Sequence, residues 1–452
     1  MPPLADSIVV LLVILLIARF IKRGSGILQR FFIPSSLVAG VGGLLLGPQI
    51  FGTIPAEVTD FWATFPKHLI NIVFAGLFLG KVIPRAKEIW RSAGPMIAFG
   101  NVLAWGQYVI GIGLTLLILT PVFGAHPLSG ALIEISFEGG HGTAAGLAPT
   151  FEQLGWSEGT DLALGLATFS IIAAIISGII LINIYSRRYG TKLDKTARAQ
   201  QERQMIRSGY SLTSLSDKFN TNPKAVIINA IAFAAAIGIG WVLLKVFVAL
   251  EALLLAPFTD LRFFSYMPLF PLAMIGGLIV QLSLRKMGKE RLIQRRTTAI
   301  FSSIALDLII ASAVATVSLR TIGDNLPVFI TLAVAGFIWI LGSFLLLAPR
   351  MFKKDWFING LTNTGQSMGM TATGLLMNRL VDPTNKAKAR ESFSYKQLAF
   401  EPFMGGGIFT VASVIVIHEL GSWTALTIAI VATVFWLVLG LHLGRNTTRN
   451  NN

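Results

Sequence analysis

The chain has 452 residues, of which 54% are hydrophobic and 13% charged, and its apolar residues fall in blocks of 17 to 28. Blocks of that length are membrane-spanning helices, which excludes an ordinary soluble domain. Cysteine is absent, which excludes a disulfide framework and thiolate chemistry. The net charge of +15 would suggest nucleic acid in a soluble protein. In a membrane protein it bears first on topology, so no nucleic-acid partner is expected.

In chain order, spans are expected near 4–20, 31–49, 68–84, 94–120, 161–186, 224–250, 267–285, 298–320, 326–348, 397–419 and 422–443. The first block lacks a basic leading region and a small-residue cleavage site, and is read as a retained helix. Two further stretches, about 128–153 and 356–379, are apolar but interrupted by Gly, Thr, Asn and Ser. If both return to the side they came from, and the N-terminus is outside, 33 of the 37 Lys and Arg residues fall in inside segments. Making either stretch a full span moves basic loops outside. Both are therefore expected to be re-entrant hairpins from opposite faces, with the C-terminus cytoplasmic and the protein in the plasma (inner) membrane.

That opposition predicts an internal repeat. PSSLVAGVGGLL (34–45) aligns with PLFPLAMIGGLI (268–279), and TAAGL (143–147) with TATGL (371–375), at separations of 234 and 228 residues. The expected fold is an all-α polytopic membrane protein of two inverted-topology repeats. Each repeat has five transmembrane helices and one re-entrant hairpin, and an extra C-terminal helix follows. The boundaries are 1–186 for the first repeat, 187–223 for a basic cytoplasmic linker, 224–420 for the second repeat, and 421–452 for the last helix and tail.

Inverted repeats with broken helices are the architecture of secondary transporters. Irregular backbone at membrane depth exposes N–H groups that attract an anion and carbonyls that coordinate a cation, provided that protein or a ligand satisfies them. On this reading Gly139, Gly140, His141, Gly142 and Thr143 form one substrate-binding tip, and Asn363, Thr364, Gly365, Ser367 and Gly369 the other. Gly139, Gly140 and Gly142 have helix packing as the alternative. His141 contacts substrate or stabilises the tip. Thr371 and Thr373 are cation candidates, as is Asp307, which lies mid-span in IALDLIIASAV, with an ion pair to Lys245 as its structural alternative. Asn101 and Gln107 in the fourth span join them as cavity-facing or interhelical groups. Glu401 is open between such a role and a pair with Arg379 or Lys396 at the interface. No separate cofactor is expected.

IPSSLVAGVGGLL, GQYVIGIG (106–113), GGHGTAAG (139–146) and SMGMTATG (367–374) resemble the bacterial sodium:glutamate symporter family, over roughly residues 1–420. The resemblance implies sodium-coupled import of glutamate or a related dicarboxylate, an elevator-type transport domain moving against a scaffold, and a homodimer in the lipid bilayer. With sodium as the implied coupling ion, the cation candidates are sodium candidates, and Glu138 is counted with them. The chain departs from the pattern in three places. Glu138 stands where a small hydroxyl residue is usual, Ser367 replaces the first glycine of the second tip, and a final span follows the second repeat.

The nearest rival is a sodium- or proton-coupled carrier of another organic anion, a dicarboxylate or hydroxycarboxylate. An intramembrane hydrolase built on Asp307 or Glu138 with His141 lacks a second catalytic member, so the chain is not expected to be an enzyme. A passive anion channel would show currents far above a carrier's turnover. GHGTAA matches a dinucleotide fingerprint, but no strand precedes it.

Overall fold

The computed structural model describes residues 4–30, 33–188, 223–254 and 258–446, and is helical with no strand among them. The first half forms α1 (Leu4–Gly24), α2 (Ser35–Leu46), α3 (Phe65–Ala75), α4 (Ala86–Leu114), α5 (Leu132–Phe137), α6 (Gly140–Gly146) and α7 (Glu158–Arg188). The second forms α8 (Pro223–Leu254), α9 (Leu269–Lys286), α10 (Arg295–Ala315), α11 (Leu326–Leu346), α12 (Trp356–Ser367), α13 (Thr371–Val381), α14 (Ala389–Phe400), α15 (Ile408–Leu420) and α16 (Ser422–Asn446). The basic linker expected at 187–223 falls almost wholly outside the described residues.

Seven of the described helices are long and apolar enough to cross a membrane. Their exposed large side chains, such as Ile227, Ile231 and Trp241 on α8 and Val431, Val434 and Val438 on α16, suit contact with lipid rather than water. Four of the eleven expected spans are not among these seven: 4–20 lies in α1, 31–49 holds only the short α2, 68–84 is helical only as far as Ala75, and 397–419 is interrupted. The stretch 397–419 is not one helix: α14 ends at Phe400, residues 401–407 are irregular, and α15 begins at Ile408. Gly405 at φ 68° and Gly406 at φ 100° occupy the left-handed region, which side chains beyond glycine avoid, so the helix cannot run through them.

The chain divides into two compact units, neither of which is a sequential half. The first comprises residues 1–83, 145–160 and 204–319; the second comprises 84–144, 161–203 and 320–452.

In the first unit α1 packs on α2, α8 on α9, α2 on α10, α9 on α3, and α3 on α10. Close approach depends on the glycine pairs aligned between the halves. A Cβ on Gly43 would lie 2.8 Å from Ala315 Cβ, and one on Gly277 would lie 2.3 Å from the Ala75 carbonyl oxygen. Two glutamines then clasp backbone in matching ways. Gln49 Nε2 donates to the Val317 carbonyl at 2.8 Å, and its Oε1 accepts from Leu319 N–H at 3.1 Å. Gln281 Nε2 donates to the Lys81 carbonyl at 3.1 Å, and its Oε1 accepts from Gly80 N–H at 2.8 Å. Each satisfies both a donor and an acceptor just beyond a helix belonging to the other half. Trp62 adds a buried anchor, donating from Nε1 to the Ser7 carbonyl at 2.8 Å.

In the second unit α4 packs against α11, α12, α14 and α16. Gly106 admits the Trp339 indole, whose Nε1 donates to the Leu103 carbonyl at 3.0 Å. Helices α12 and α13 fold into an antiparallel hairpin. A Cβ on Gly374 would lie 2.5 Å from the Thr362 carbonyl oxygen, and Asn378 Nδ2 donates to Thr362 Oγ1 at 3.0 Å.

Gly277→Leu drives a side chain into the Ala75 backbone, so it is expected to cost at least about 1–3 kcal/mol. Gln281→Ala strands a buried N–H and a carbonyl, at about 1–3 kcal/mol. Thermal melts of detergent-purified protein check both, with Gly113→Leu, where a Cβ meets nothing within 4 Å, expected to be near wild type.

Candidate functional site

Three helix breaks supply the polar centre of the second unit: 138–139 between α5 and α6, 368–370 between α12 and α13, and 401–407 between α14 and α15. Each has a local cause. Gly140 turns at φ 66°, Met370 is extended at the start of α13, and the Gly405-Gly406-Gly407 run unwinds the third. A Cβ on Gly140 would lie 3.2 Å from the Gly369 carbonyl oxygen, and one on Gly405 would lie 3.1 Å from that of Glu138. All three breaks therefore meet.

Glu134 holds the third break in place. Fully buried on α5, it accepts at Oε2 from the Tyr108 hydroxyl at 2.6 Å, and at Oε1 from Gly405 N–H and the Thr410 hydroxyl, each at 2.9 Å. Thr143 reaches the same turn, donating to the Gly405 carbonyl at 3.4 Å. A carboxylate in this setting is retained only when hydrogen bonds replace its water.

One turn further on, Glu138 Oε2 accepts from Gln366 Nε2 at 2.5 Å, while Gln366 Oε1 accepts from Lys396 Nζ at 2.6 Å. The amide thus stands between a buried carboxylate and a buried ammonium. The Lys396 Nζ also lies 3.4 Å from the centroid of the Phe400 ring. A second cluster joins α13 to α14. The Thr371 hydroxyl donates to Glu401 Oε1 at 2.7 Å, and Gln397 Nε2 donates to Thr371 Oγ1 at 2.5 Å and to Glu401 Oε1 at 2.9 Å.

Some buried oxygens remain without a hydrogen-bond partner, among them Asn363 Oδ1, Thr364 Oγ1 and Gln107 Oε1. Gln107 Nε2 donates to the Ser367 carbonyl at 3.3 Å. Buried polar atoms in native proteins are as a rule satisfied by some partner. His141 Nε2 lies 2.9 Å from Thr168 Oγ1, whose proton goes to the Leu164 carbonyl at 3.0 Å. His141 therefore donates through Nε2, and its Nδ1 is left without a partner.

The expected residues thus fall in two places. Gly139, Gly140, His141, Gly142 and Thr143 come together in the second unit with Asn363, Thr364, Gly365, Ser367, Gly369, Thr371, Thr373, Glu138, Asn101 and Gln107. Asn101 spends its amide on its own helix, donating to the Ile97 carbonyl at 2.9 Å. Asp307 belongs to the first unit, where Arg19 Nη2 lies 3.5 Å from its Oδ2 and its charge also acts on Lys22; the ion pair is with Arg19 and not with Lys245, the structural alternative. Lys396, counted with the inside basic residues, is buried in the site instead of lying in a loop.

Glu134, Gln366, Gln397, Thr410 and the third break were not anticipated. Signals existed for two of them. Two carboxylates one turn apart in an apolar run (ALIEISFEGG) and three consecutive glycines in a span both demand a reason.

Glu134→Ala leaves Gly405 N–H and the Tyr108 and Thr410 hydroxyls without their acceptor, and is expected to cost about 1–3 kcal/mol for each stranded donor, more than Tyr108→Phe. Tyr108→Phe removes one donor, at about 1–3 kcal/mol. Thermal melts in detergent check the order of the two.

No individual curated protein matches the chain. The sodium/glutamate symporter family profile matches residues 4–381, most of its length. With the apolar helices described above, that makes the chain a multi-pass membrane transporter with sodium as its coupling ion, and not an enzyme. The chain belongs to the sodium/glutamate symporter family.

Proposed function

We propose that the chain imports glutamate together with sodium by an elevator-type cycle, in which the second unit carries the ligands and the first is the scaffold. The convergence of three helix breaks on one buried polar cluster supports this most directly. Backbone freed from helical hydrogen bonding presents N–H groups to carboxylates and carbonyls to cations, without the cost of desolvating them anew. The glycine tip at Gly139–Thr143 and the Asn363–Gly369 segment bind the substrate. Thr371, Thr373, Gln107, Asn101 and Glu401 supply oxygens for sodium. Asp307 is left out because Arg19 already balances its charge.

The charge inventory supports cation coupling. Glu138 and Glu401 outnumber the single ammonium of Lys396 in the cluster. Moving one negative charge into an inside-negative cell costs about 2.3 kcal/mol per 100 mV, and each accompanying cation returns as much.

The composition of the two units supports an inverted repeat, since each draws on both halves. So do the paired glycines and the paired glutamine clasps of the first unit. The basic inside segments support an inner-membrane protein with its N-terminus outside and its C-terminus in the cytoplasm. A homodimer follows from the family resemblance.

The test is uptake of radiolabelled glutamate into proteoliposomes under a sodium gradient, a proton gradient or neither. Uptake is expected with sodium; indifference to sodium overturns the proposal, and uptake driven by protons alone supports the organic-anion alternative. Thr143→Val and Thr371→Val are each expected to lower uptake about tenfold, as for the loss of one hydrogen bond near 1.4 kcal/mol, with membrane insertion unchanged. Normal kinetics in both would make the breaks structural only.

A further inference from the structure

A fully buried lysine at the centre of a cation-coupled transporter requires a reason. Burying an ammonium is expensive unless it is paired and hydrogen-bonded. An ordinary structural ion pair would set it directly against a carboxylate. Lys396 instead donates at 2.6 Å to a neutral oxygen, Gln366 Oε1, and Gln366 passes the contact on to Glu138 through its other amide atom at 2.5 Å. The face of Phe400 closes another side, with the ring centroid 3.4 Å from Nζ. On the α4 side, the point where Gly100 would carry a Cβ lies 3.0 Å from Nζ and 3.4 Å from Asn363 Oδ1, an oxygen with no hydrogen-bond partner.

These surroundings are uncharged oxygens, an aromatic face and a carboxylate one step away. They are what a protein offers to a bound monovalent cation. Gly100 is needed for the ammonium to fit, because any side chain there would collide with Lys396 Cε. The carboxylates whose charge acts on it are Glu138 and Glu401.

We propose that Lys396 is a tethered cation, its ammonium filling a position in the second unit that an exchangeable sodium ion would otherwise take. The site then uses one sodium fewer than the same pocket with a neutral residue at 396. This rests on the sodium-coupled reading above. It also gives Glu138 a role, as the carboxylate that the built-in charge balances.

The experiment compares wild type, Lys396→Ser and the double variant Lys396→Ser with Glu138→Gln. Serine leaves space and a hydroxyl oxygen, and the double variant has the same space without the uncompensated carboxylate. Each is expressed, purified and melted in sodium chloride or in choline chloride at equal ionic strength, without substrate. Sodium is expected to raise the melting temperature of Lys396→Ser further than that of wild type, because binding to the folded state stabilises it. The extra shift is expected to vanish in the double variant. An equal shift in wild type and Lys396→Ser, an extra shift retained by the double variant, or failure to recover Lys396→Ser in sodium each overturns the proposal. Sodium-driven glutamate uptake by wild type is measured alongside. If wild type takes up glutamate without regard to sodium, the sodium-coupled reading fails and not merely the role of Lys396.

Discussion

The carboxylate of Glu134 is the contact on which the second unit is organised. A bilayer offers no water to a broken helix, so each N–H or carbonyl freed by a break must find its partner within the protein. Glu134 supplies one for Gly405 N–H, and its remaining bonds to Tyr108 and Thr410 bring α4 and α15 to the same point. With the turn at 401–407 fixed, Gly405 can accept from Thr143, and Glu401 is left in reach of Thr371 and Gln397. A break that would otherwise be a defect becomes a rigid corner.

Charge is distributed around that corner with a consistent logic. Glu134 is neutralised by dipoles alone: one backbone N–H and two hydroxyls. Glu138 is joined through an amide to an ammonium, and Glu401 is bonded to a hydroxyl and an amide, in half-buried surroundings. Three carboxylates in three different settings do not compete for one counter-ion. Carboxylates without a partner of opposite charge are where mobile cations stabilise most, because Coulomb attraction is strong where water is excluded.

The first unit solves a different problem. Its helices approach closely through glycine, at Gly43 and Gly277, and its chain ends are tied by Gln49 and Gln281. Small residues let backbones meet where no hydrophobic drive between helices exists in lipid, and a polar side chain satisfied at both ends acts as a stable tie. The same devices recur in both halves, Gly43 and Gln49 in one and Gly277 and Gln281 in the other. The glutamine pair lies outside the segments that align by sequence.

The sequence by itself determined the solvent, the helical class, most spans and two of the three breaks. Apolar block length answers to bilayer thickness, and Gly-Gly-His-Gly-Thr and Gly-Met-Thr-Ala-Thr announce irregular backbone locally. It also put Thr143, Asn363 and Thr371 on the list of site residues without saying what they touch. Tertiary structure decided the rest. Glu401-to-Gly407 reads as part of an apolar span because glycine is common in transmembrane helices, and only its φ values and its capture by Glu134 reveal the third break. Lys396 reads as a loop cation because charge counting assigns it by neighbours along the chain, whereas its burial depends on Gln366, Phe400 and Gly100, residues from other turns and other helices. The charged partner of Asp307 is Arg19, 288 residues away along the chain. Periodicity and composition are local and survive in the sequence; the partner of a buried charge is non-local, and only the folded chain decides it.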